Sequence, residues 1–477
     1  MSITSALNNA VSGLSASSRM AEIISSNTAN ALTDGYARRE LQTSSITSGG
    51  VRIDGVIRQI NESVLQEKRE TDAAAANATT RSTTLSKIEK LLGTPGESGS
   101  LSGTLSALET ALIDASATPE NTSNLLAAVN AAKAVTNKLG DVSEGVQTIR
   151  LDADKSIAQQ VKTLNDTLAQ VEALNKAITR ASTVGSDASS LMDQRQNLID
   201  QIAEIVPLRS LQRSGNQIAL YTAGGLSLLD GTAATIEFSA ANVMGSDMTL
   251  AGGQLSGLSV NGRSVATTTG GLMAGGSLAA AFEVRDETAP AVQTDLDAFA
   301  RNLIERFSGS AVTSSGLGLF TDAGNALDVL NETGLAQRIT INAAVDPTTA
   351  NGEAWRLRDG FSAPTEGAAS NATLLSALAN AFSQTIVPTS GNFSSSARNT
   401  SELASDLLSG ISTARQSAES RQSYLVARQE TATQQVLAQG VDTDHELQTL
   451  LNVEQAYAAN AKVIQTIDEM MQAILEL

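Results

Sequence analysis

The sequence contains no cysteine and a single histidine, and these two shortages exclude whole classes of function. Without cysteine there is no disulfide, no cysteine-ligated zinc and no thiol nucleophile. With His445 as the only imidazole, neither a Ser-His-Asp triad nor an HExxH zinc site can be assembled. His445 lies in the polar stretch 442–446, which we interpret as a solvated acidic link that caps a helix N-terminus. A metal ion held there would have only one histidine ligand, and we expect no metal site.

Aromatic and cationic residues are also scarce. Aromatics make up 3% of the chain, which is too few for an aromatic-lined ligand pocket, and no cofactor is expected. Lys and Arg total 32 against 50 Asp and Glu, so the net charge is −18. Nucleic acids and anionic membrane surfaces are disfavoured as partners, because both are bound through basic side chains.

Long apolar runs are missing as well. No run of about twenty apolar residues occurs, so the sequence predicts no membrane-spanning helix. Residues 1–18 carry no Lys or Arg side chain, and Asn8, Asn9, Ser12 and Ser15 interrupt their apolar positions. This does not resemble a secretory signal peptide. The expectation is a protein that, if it leaves the cell, is exported without a cleaved signal.

Proline is confined to the middle of the chain, between Pro95 and Pro388, which favours uninterrupted helix at both ends. Each end shows heptad spacing of its apolar and small residues. The front seam consists of Ile3, Leu7, Ala10, Leu14, Ser17, Ala21, Ile24 and Thr28. The back seam consists of Leu450, Val453, Tyr457, Asn460, Ile464, Ile467, Met471 and Ile474. Asn460 is a candidate register-setting polar residue within the back seam.

Neither end has enough apolar surface to be stable as an isolated helix. The two seams therefore need each other or copies from other chains. Periodicity does not decide between pairing within one chain and pairing between chains.

The rest of the chain predicts a mainly α protein with β-rich insertions and a nested, multidomain layout. Residues 1–60 and 436–477 are predicted to form a terminal coiled-coil assembly domain, with an extended connector over 31–60. Residues 61–207 and 276–435 are predicted to form a body of long helices, with strands and loops near 308–366. Residues 208–275 carry short β-like runs separated by glycine turns, and predict a small outer β-rich domain.

Several local features predict where helices begin and break. Asn61 is a candidate N-cap of a helix that ends at Gly93. Thr118-Pro119-Glu120 predicts the start of a helix through Leu139, with a separate, longer helix following it. A kink or restart is expected near Pro290.

Two pairs of acidic residues are candidates for catalytic carboxylates. Asp152 with Asp154, and Asp295 with Asp297, each lie two positions apart on predicted helices, where side chains do not face one another. We interpret both pairs as parts of solvated faces. No catalytic residue is expected, although an enzyme with an unrecognised carboxylate site in the β-rich insertion stays an alternative.

The stretch 25–40, SSNTANALTDGYARRE, resembles the motif of bacterial flagellar axial proteins, the family of rod, hook and junction proteins. The matching positions are Ser26, Asn27, Ala29, Asn30, Thr33, Gly35, Tyr36 and Arg38. Thr28 and Asp34 depart from the family pattern. Residues 450–477 resemble the carboxy-terminal block of the same family. In the middle, 191–202, 275–287 and 318–324 resemble its hook–filament junction members.

The resemblance implies a structural, non-enzymatic protein of the extracellular flagellum that forms a ring at the junction between hook and filament. It implies export through the flagellar type III apparatus, with an export chaperone, and assembly with further copies, the hook protein and a second junction protein. Assembly would involve both seams together with Asn27, Asn30, Gly35 and Tyr36. Another axial protein, of hook or rod, and a coiled-coil signalling protein are the alternatives.

Overall fold

The computed structural model describes residues 3–33, 35–47, 49–309 and 317–476. Met1, Ser2, Asp34, Ser48, Leu477 and residues 310–316 lie outside the described residues, so the predictions made for these positions are not addressed by the structure.

The two ends of the chain form long helices that pack against each other, α1 (Ile3–Ala29) and α12 (Thr443–Leu475). Gly13 of α1 lies against Asn460, and Asn27, one turn from the end of α1, contacts Glu446 near the start of α12. Positions rise along one helix as they fall along the other, so the pair is antiparallel. Pairing within one chain, one of the alternatives left open by the sequence, is therefore present in the structure.

A β-hairpin follows α1 and folds back along it. Its strands are β1 (Arg39–Ser45) and β2 (Val51–Arg58), paired antiparallel with a bulge between Gln42 and Thr43. The Ser12 hydroxyl accepts a hydrogen bond from the Val51 N–H at 3.1 Å, which holds the hairpin turn against α1. The extended connector predicted for this region is thus a hairpin that packs on the terminal helix.

A second pair of long helices pack against each other, α2 (Glu62–Leu92) and α11 (Thr400–Leu437). Asn61 caps α2, as its sequence position predicts, by accepting from the N–H of Ser63 at 3.1 Å. Asn399 and Glu402 form a capping box at the start of α11. A shorter helix, α3 (Leu101–Ala117), follows α2.

The longest element is a single helix of 62 residues, α4 (Thr122–Thr183). The prediction of two helices here, the first capped at Thr118, is wrong. Asn121 is the cap, accepting from the Ser123 N–H at 3.0 Å, and the helix continues past Leu139. Gly145 lies where a side chain would meet Leu91 of α2, so this glycine permits close packing instead of ending the helix.

The β-rich region begins after α5 (Ser189–Ala203). One antiparallel sheet has the order β3-β4-β5-β6, and a second has the order β7-β8-β9. The strand bounds are Leu208–Gln212, Ile218–Thr222, Ser227–Asp230, Thr232–Ala233, Ile236–Glu237, Leu258–Val260 and Arg263–Val265 for β3 to β9. Their apolar side chains share one core with the second half of α4 and with α5. The predicted 208–275 domain therefore packs as a continuation of the helical body.

The next segment begins in the core of the second half of α4, where Leu278, Ala281 and Phe282 pack, and the later elements pack on the first half. α6 (Gly276–Glu283) runs through a π-helical turn, Val284–Thr288, into α7 (Ala289–Ser308), with Pro290 in its first turn. The expected kink near Pro290 corresponds to this turn. The others are β10 (Phe320–Asp322), α8 (Leu335–Arg338), β11 (Ile339–Ile341), α9 (Arg356–Asp359) and α10 (Thr373–Ser383). From α7 onward, these elements and α3 enclose a second core with the first half of α4.

Two carboxylates that the sequence placed on solvated faces are buried, so that interpretation is wrong for both. Asp154 pairs with Arg285 at 2.7 Å, and both side chains are inaccessible to solvent. Asp297 is 3% exposed and accepts from the N–H groups of Gly334 and Ala336 at 2.7 and 2.8 Å. Burial raises the pKa of Asp297 to about 6, although these donors oppose the shift. Segments distant in sequence cover both residues, so helical periodicity alone does not predict that Asp154 and Asp297 are buried.

Replacing Leu139, which is fully buried on α4, by alanine should lower the free energy of unfolding by about 2–5 kcal/mol, because it leaves a cavity in a close-packed core. Urea denaturation of the purified chain measures the change. Leu126→Ala removes the same atoms from an exposed position of the same helix and should change stability by less than about 0.5 kcal/mol. Equal losses in the two variants would contradict the packing described.

The raised pKa of Asp297 predicts a pH dependence of stability. The folded state favours the protonated form of Asp297 over its charged carboxylate. The stability that this preference contributes is fully present below about pH 4, the usual pKa range of an aspartate, and it is lost as pH rises through about 6. Asp297→Asn should flatten the dependence of unfolding free energy on pH in this window, measured by urea denaturation at several pH values. The exposed Asp152→Asn controls for the change of charge. Parallel curves for Asp297→Asn and the unaltered chain would refute the prediction.

Candidate assembly site

Asn27 is the centre of a polar cluster where the two terminal helices meet. Its side chain is 1% exposed. The Asn27 amide nitrogen donates to the Arg39 carbonyl at 2.9 Å and to the Glu446 carboxylate at 3.0 Å. Its amide oxygen accepts from the Tyr36 hydroxyl at 2.8 Å and from the Arg39 N–H at 3.0 Å. Every hydrogen-bonding position of the amide is used, which explains why asparagine, Tyr36 and the following chain occur together in the motif.

Glu446 is the residue of α12 that takes part in this cluster. Its side chain is 1% exposed and accepts from Arg38 at 2.7 Å as well as from Asn27. The interpretation of 442–446 as a solvated link is therefore wrong for Glu446, although Asp442 does cap α12 and His445 is exposed. A buried carboxylate is costly unless it is paired, and here the charge is balanced by Arg38.

Gly35 and Tyr36 determine the path of the chain between α1 and the hairpin. Gly35 has φ of +72°, and a Cβ there would lie 1.5 Å from the Asn197 side-chain oxygen on α5. Only glycine fits this position. The Arg39 guanidinium lies 4.9 Å from the centroid of the Tyr36 ring. Asn30, also predicted for the site, bonds instead within its own segment, to the Ser26 carbonyl at 2.8 Å.

Asp193 on α5 connects the hairpin to the body. Its carboxylate accepts from Arg39 at 2.9 Å and from Arg58 at 2.7 Å, so one side chain holds both strands at the base of the hairpin. Burial lowers the pKa of Arg58, and the charge of Asp193 opposes that shift. Asp193, Arg39 and Glu446 were not singled out from the sequence. Asp193 does lie within 191–202, one of the stretches that resembled the junction proteins.

The predicted seam residues differ in how far they are covered. On α1, Ile24 is buried, whereas Ile3, Leu7 and Leu14 are half-buried. On α12, the buried residues are Val453 and Ile467, and the half-buried ones are Leu450, Asn460 and Ile464. Tyr457, Met471 and Ile474 are exposed. The structure thus brings the front seam and the middle of the back seam together, and leaves the far end of α12 uncovered.

Asn460 lies directly over Gly13 of α1, where an added Cβ would come within 2.8 Å of its amide nitrogen. Its amide nitrogen donates to the Ala456 carbonyl of its own helix at 3.0 Å. The glycine lets the two helices approach closely at this level. A register-setting role for Asn460 stays a prediction.

The paired helices leave substantial apolar surface uncovered on α12. The exposed apolar side chains of this helix are Leu447, Leu451, Tyr457, Val463, Met470, Met471, Ile474 and Leu475. Exposed apolar groups in this density are typical of surfaces that contact another molecule.

Neither a metal centre nor a membrane span is indicated in the part of the chain that the structure describes. There, no group of three or more His, Asp and Glu side chains is arranged to hold a metal ion. None of the described helices combines the length and apolar character of a membrane-crossing segment.

Comparison with known proteins first identifies the class. Residues 433–477, which include all of α12, match the model of the C-terminal region of the flagellar basal body rod FlgEFG proteins. This likeness agrees with the terminal motifs, which predicted a flagellar axial protein. Residues 85–327, about half of the chain, match the model of the helical domain of flagellar hook-associated protein FlgK. The chain belongs to the FlgK family of flagellar hook-associated proteins, a family of structural components of the flagellum.

Individual relatives agree with this assignment. Flagellar hook-associated protein 1 of Salmonella typhimurium is 28% identical over 243 residues, which cover 49% of this chain and 44% of the relative. Its namesake in Bacillus subtilis is 26% identical over 239 residues, covering 46% of this chain and 47% of the relative. The chain therefore spans less than half the length of these relatives. The solved hook junction protein FlgK of Burkholderia pseudomallei aligns with a TM-score of 0.45 at 17% identity, over 54% of this chain and 46% of that one.

Asn27→Ala should loosen the connection between α1, the hairpin and α12, because it leaves the Arg39 N–H, the Tyr36 hydroxyl and Glu446 without their shared partner. Each buried group left unpaired costs about 1–3 kcal/mol. Hydrogen exchange of the Arg39 amide, followed by mass spectrometry, should become faster.

The matched control is Asn8→Ala, which makes the same change at an exposed position of α1. Exchange at Arg39 should be unaffected by that change. If Asn27→Ala leaves exchange at Arg39 as slow as in the unaltered chain, Asn27 is not the centre of the cluster.

Proposed function

We propose that this chain is a structural junction component that joins hook to filament and polymerises through its terminal helices. The observation that carries the proposal is the α1–α12 pair, which is formed within one chain yet leaves a large part of α12 apolar and exposed. Further copies of the chain would cover that surface in a ring on the hook tip. The likeness of residues 85–327 to the FlgK helical domain supports a junction role over a hook or rod role.

The proposal includes how the protein reaches its place. It is exported unfolded through the flagellar type III apparatus, without a cleaved signal, and a chain without cysteine has no disulfides to reduce before transit. An export chaperone binds it beforehand, and α12 is the segment proposed to be bound because of its exposed apolar and acidic residues. The hook protein and a second junction protein are its neighbours in the assembled structure.

The other functions considered have less support. A coiled-coil signalling protein would not account for the likeness of both the helical middle and the C-terminal end to flagellar proteins. For an enzyme, the β-rich region would need a free carboxylate site. Two of its three carboxylates are instead hydrogen-bonded within the region, Asp230 to Tyr221 at 2.7 Å and Arg213 at 2.9 Å, and Glu237 to Ser259 at 2.8 Å.

Deleting the gene should leave hooks without filaments. Complementing the deletion strain with variants of the chain then tests the role of the α1–α12 pair. Ile464→Asp places a charge in the half-buried middle of the back seam. It should separate α12 from α1 and abolish filament attachment, counted by electron microscopy, while the thermal unfolding of the helical body is unchanged.

Thr466→Asp is the matched control, since it adds the same charge two positions away on the exposed side of α12. It should restore filaments. Normal filaments in the deletion strain would refute the junction role. A collapse of body stability in Ile464→Asp would show that the back seam belongs to the core of the body.

A further inference from the structure

A cavity of about 640 Å³ lies between the hairpin, the start of α2 and α5. Cavities of about 300–1,000 Å³ are usual for sites that bind small molecules. Three arginines from these three elements line it, Arg58 of β2, Arg69 of α2 and Arg195 of α5. The side chain of Arg58 is 6% exposed, and Arg69 and Arg195 are buried. The cavity therefore has a cationic wall, although the chain as a whole carries a charge of −18.

Buried carboxylates balance two of these arginines and not the third. Asp193 accepts from Arg58 at 2.7 Å, and Asp200 accepts from Arg69 at 2.7 Å. Arg195 pairs with no carboxylate among the described residues and bonds only to neutral oxygens. The carboxylates that line the cavity itself are exposed to solvent, namely Asp54, Glu62 and Asp187. Arg195 is thus a buried cation without a paired counter-charge, which is costly in a protein interior.

The bonding of Arg195 leaves one edge of its guanidinium unpaired. Nη1 donates to the Asn175 side-chain oxygen at 2.8 Å and to the Asn216 carbonyl at 2.6 Å. Nε and Nη2 have no partner in the part of the chain that the structure describes. Because Nη1 is turned toward these two residues and Arg195 lines the cavity, the edge formed by Nε and Nη2 is the part of the guanidinium available to the cavity.

Other arginines of the chain show what this edge binds. In Arg285 it holds the Asp286 carboxylate, with 2.8 Å from each nitrogen to an oxygen. In Arg358 it holds the Asp359 carboxylate at 3.1 and 2.7 Å. The two N–H groups of this edge match two oxygens of a carboxylate or a phosphate. Arg195 presents the same pair of donors without a protein acceptor.

A purely structural role does not account for these two donors. Arg150 and Arg306 are also buried and also lack a carboxylate partner among the described residues. In both of them, however, all three nitrogens donate to carbonyl or amide oxygens. A buried arginine with a structural role is thus fully bonded elsewhere in this chain, whereas Arg195 uses one nitrogen of three.

The charges around Arg195 favour an anion as its partner. Burial and the charge of Arg58 lower the pKa of Arg195 to about 10, and Glu62 opposes this shift. The guanidinium therefore stays charged at neutral pH. A neighbouring anion would provide the counter-charge that the protein itself does not supply.

We propose that this cavity binds a small oxyanion, a carboxylate or a phosphate, on the edge formed by Nε and Nη2 of Arg195. Arg58 and Arg69 add positive charge on the same wall of the cavity. Because the three arginines belong to α5, β2 and α2, the bound anion connects the hairpin to the helical body. The inference does not depend on the junction role.

Isothermal titration calorimetry of the purified chain tests the site. Inorganic phosphate and sodium acetate are titrated separately into a chloride buffer of constant ionic strength. At least one of them should bind, and the one that binds identifies the class of anion. Arg195→Gln should weaken this binding by at least about tenfold, because the bidentate pair is lost. No binding of either anion to the unaltered chain would overturn the proposal.

Arg209→Gln is the matched control, since it removes the same charge from an exposed position of β3 outside the cavity. Its affinity should equal that of the unaltered chain. Arg195→Lys keeps a positive charge and donors for Asn175 and Asn216, but it lacks the two-donor edge. It should fold, as judged by circular dichroism, and bind several-fold more weakly. Full affinity in either folded variant of Arg195 would show that the anion binds elsewhere and would overturn the assignment.

Hydrogen exchange of the unaltered chain gives a readout that needs no variant. Ligand binding stabilises the structure to which the ligand binds. Saturating anion should therefore slow exchange several-fold in the β2 peptide, residues 51–58, which contains Arg58. Exchange in the peptide 258–265, which lies outside the cavity, should be unchanged. An anion that binds without slowing exchange in β2 would contradict the proposed site.

Discussion

The buried contact between Asn27 and Glu446 joins positions 419 residues apart, and the arrangement of both chain ends depends on it. A buried carboxylate is no longer solvated by water, so it is stable only when it is paired with a cation and hydrogen-bonded. Here the donors come from α1 and from Arg38, just before the hairpin, and Asp193 ties that hairpin to α5. Neither end can take this arrangement without the other, so the geometry of the terminal pair is a property of the whole chain.

Much of the fold could be predicted from the sequence because its signals are local. Heptad spacing identified the terminal helices, Asn61 identified the start of α2, and glycine turns between short apolar runs identified the strands of the β-rich region. The predictions failed where a segment distant in sequence packs against a residue and changes its environment. The sequence predicted a break after Leu139, yet α4 continues past it, and Gly145 of the same helix lies against Leu91 of α2. The burial of Asp297 depends on a loop almost forty positions later.

The candidate site divides in the same way. Asn27, Gly35 and Tyr36 were identified from their motif. In the structure, Asn27 and Tyr36 belong to one polar cluster, and Gly35 lies against Asn197 of α5. Glu446 and Asp193 escaped notice because an acidic residue in a polar stretch has the same pattern whether it is solvated or buried. Only the approach of an arginine from another part of the chain separates the two cases, and spacing along the sequence carries no information about that approach.

The unbroken α4 has a mechanical consequence. At 62 residues and about 1.5 Å per residue it extends for roughly 93 Å, and its two halves belong to different cores. The cores cannot twist or slide relative to each other without bending α4, because residues of this continuous hydrogen-bonded helix are packed into both cores. A force applied at one end of the body is therefore carried to the other end through a continuous backbone, with no hinge in the helix to absorb it.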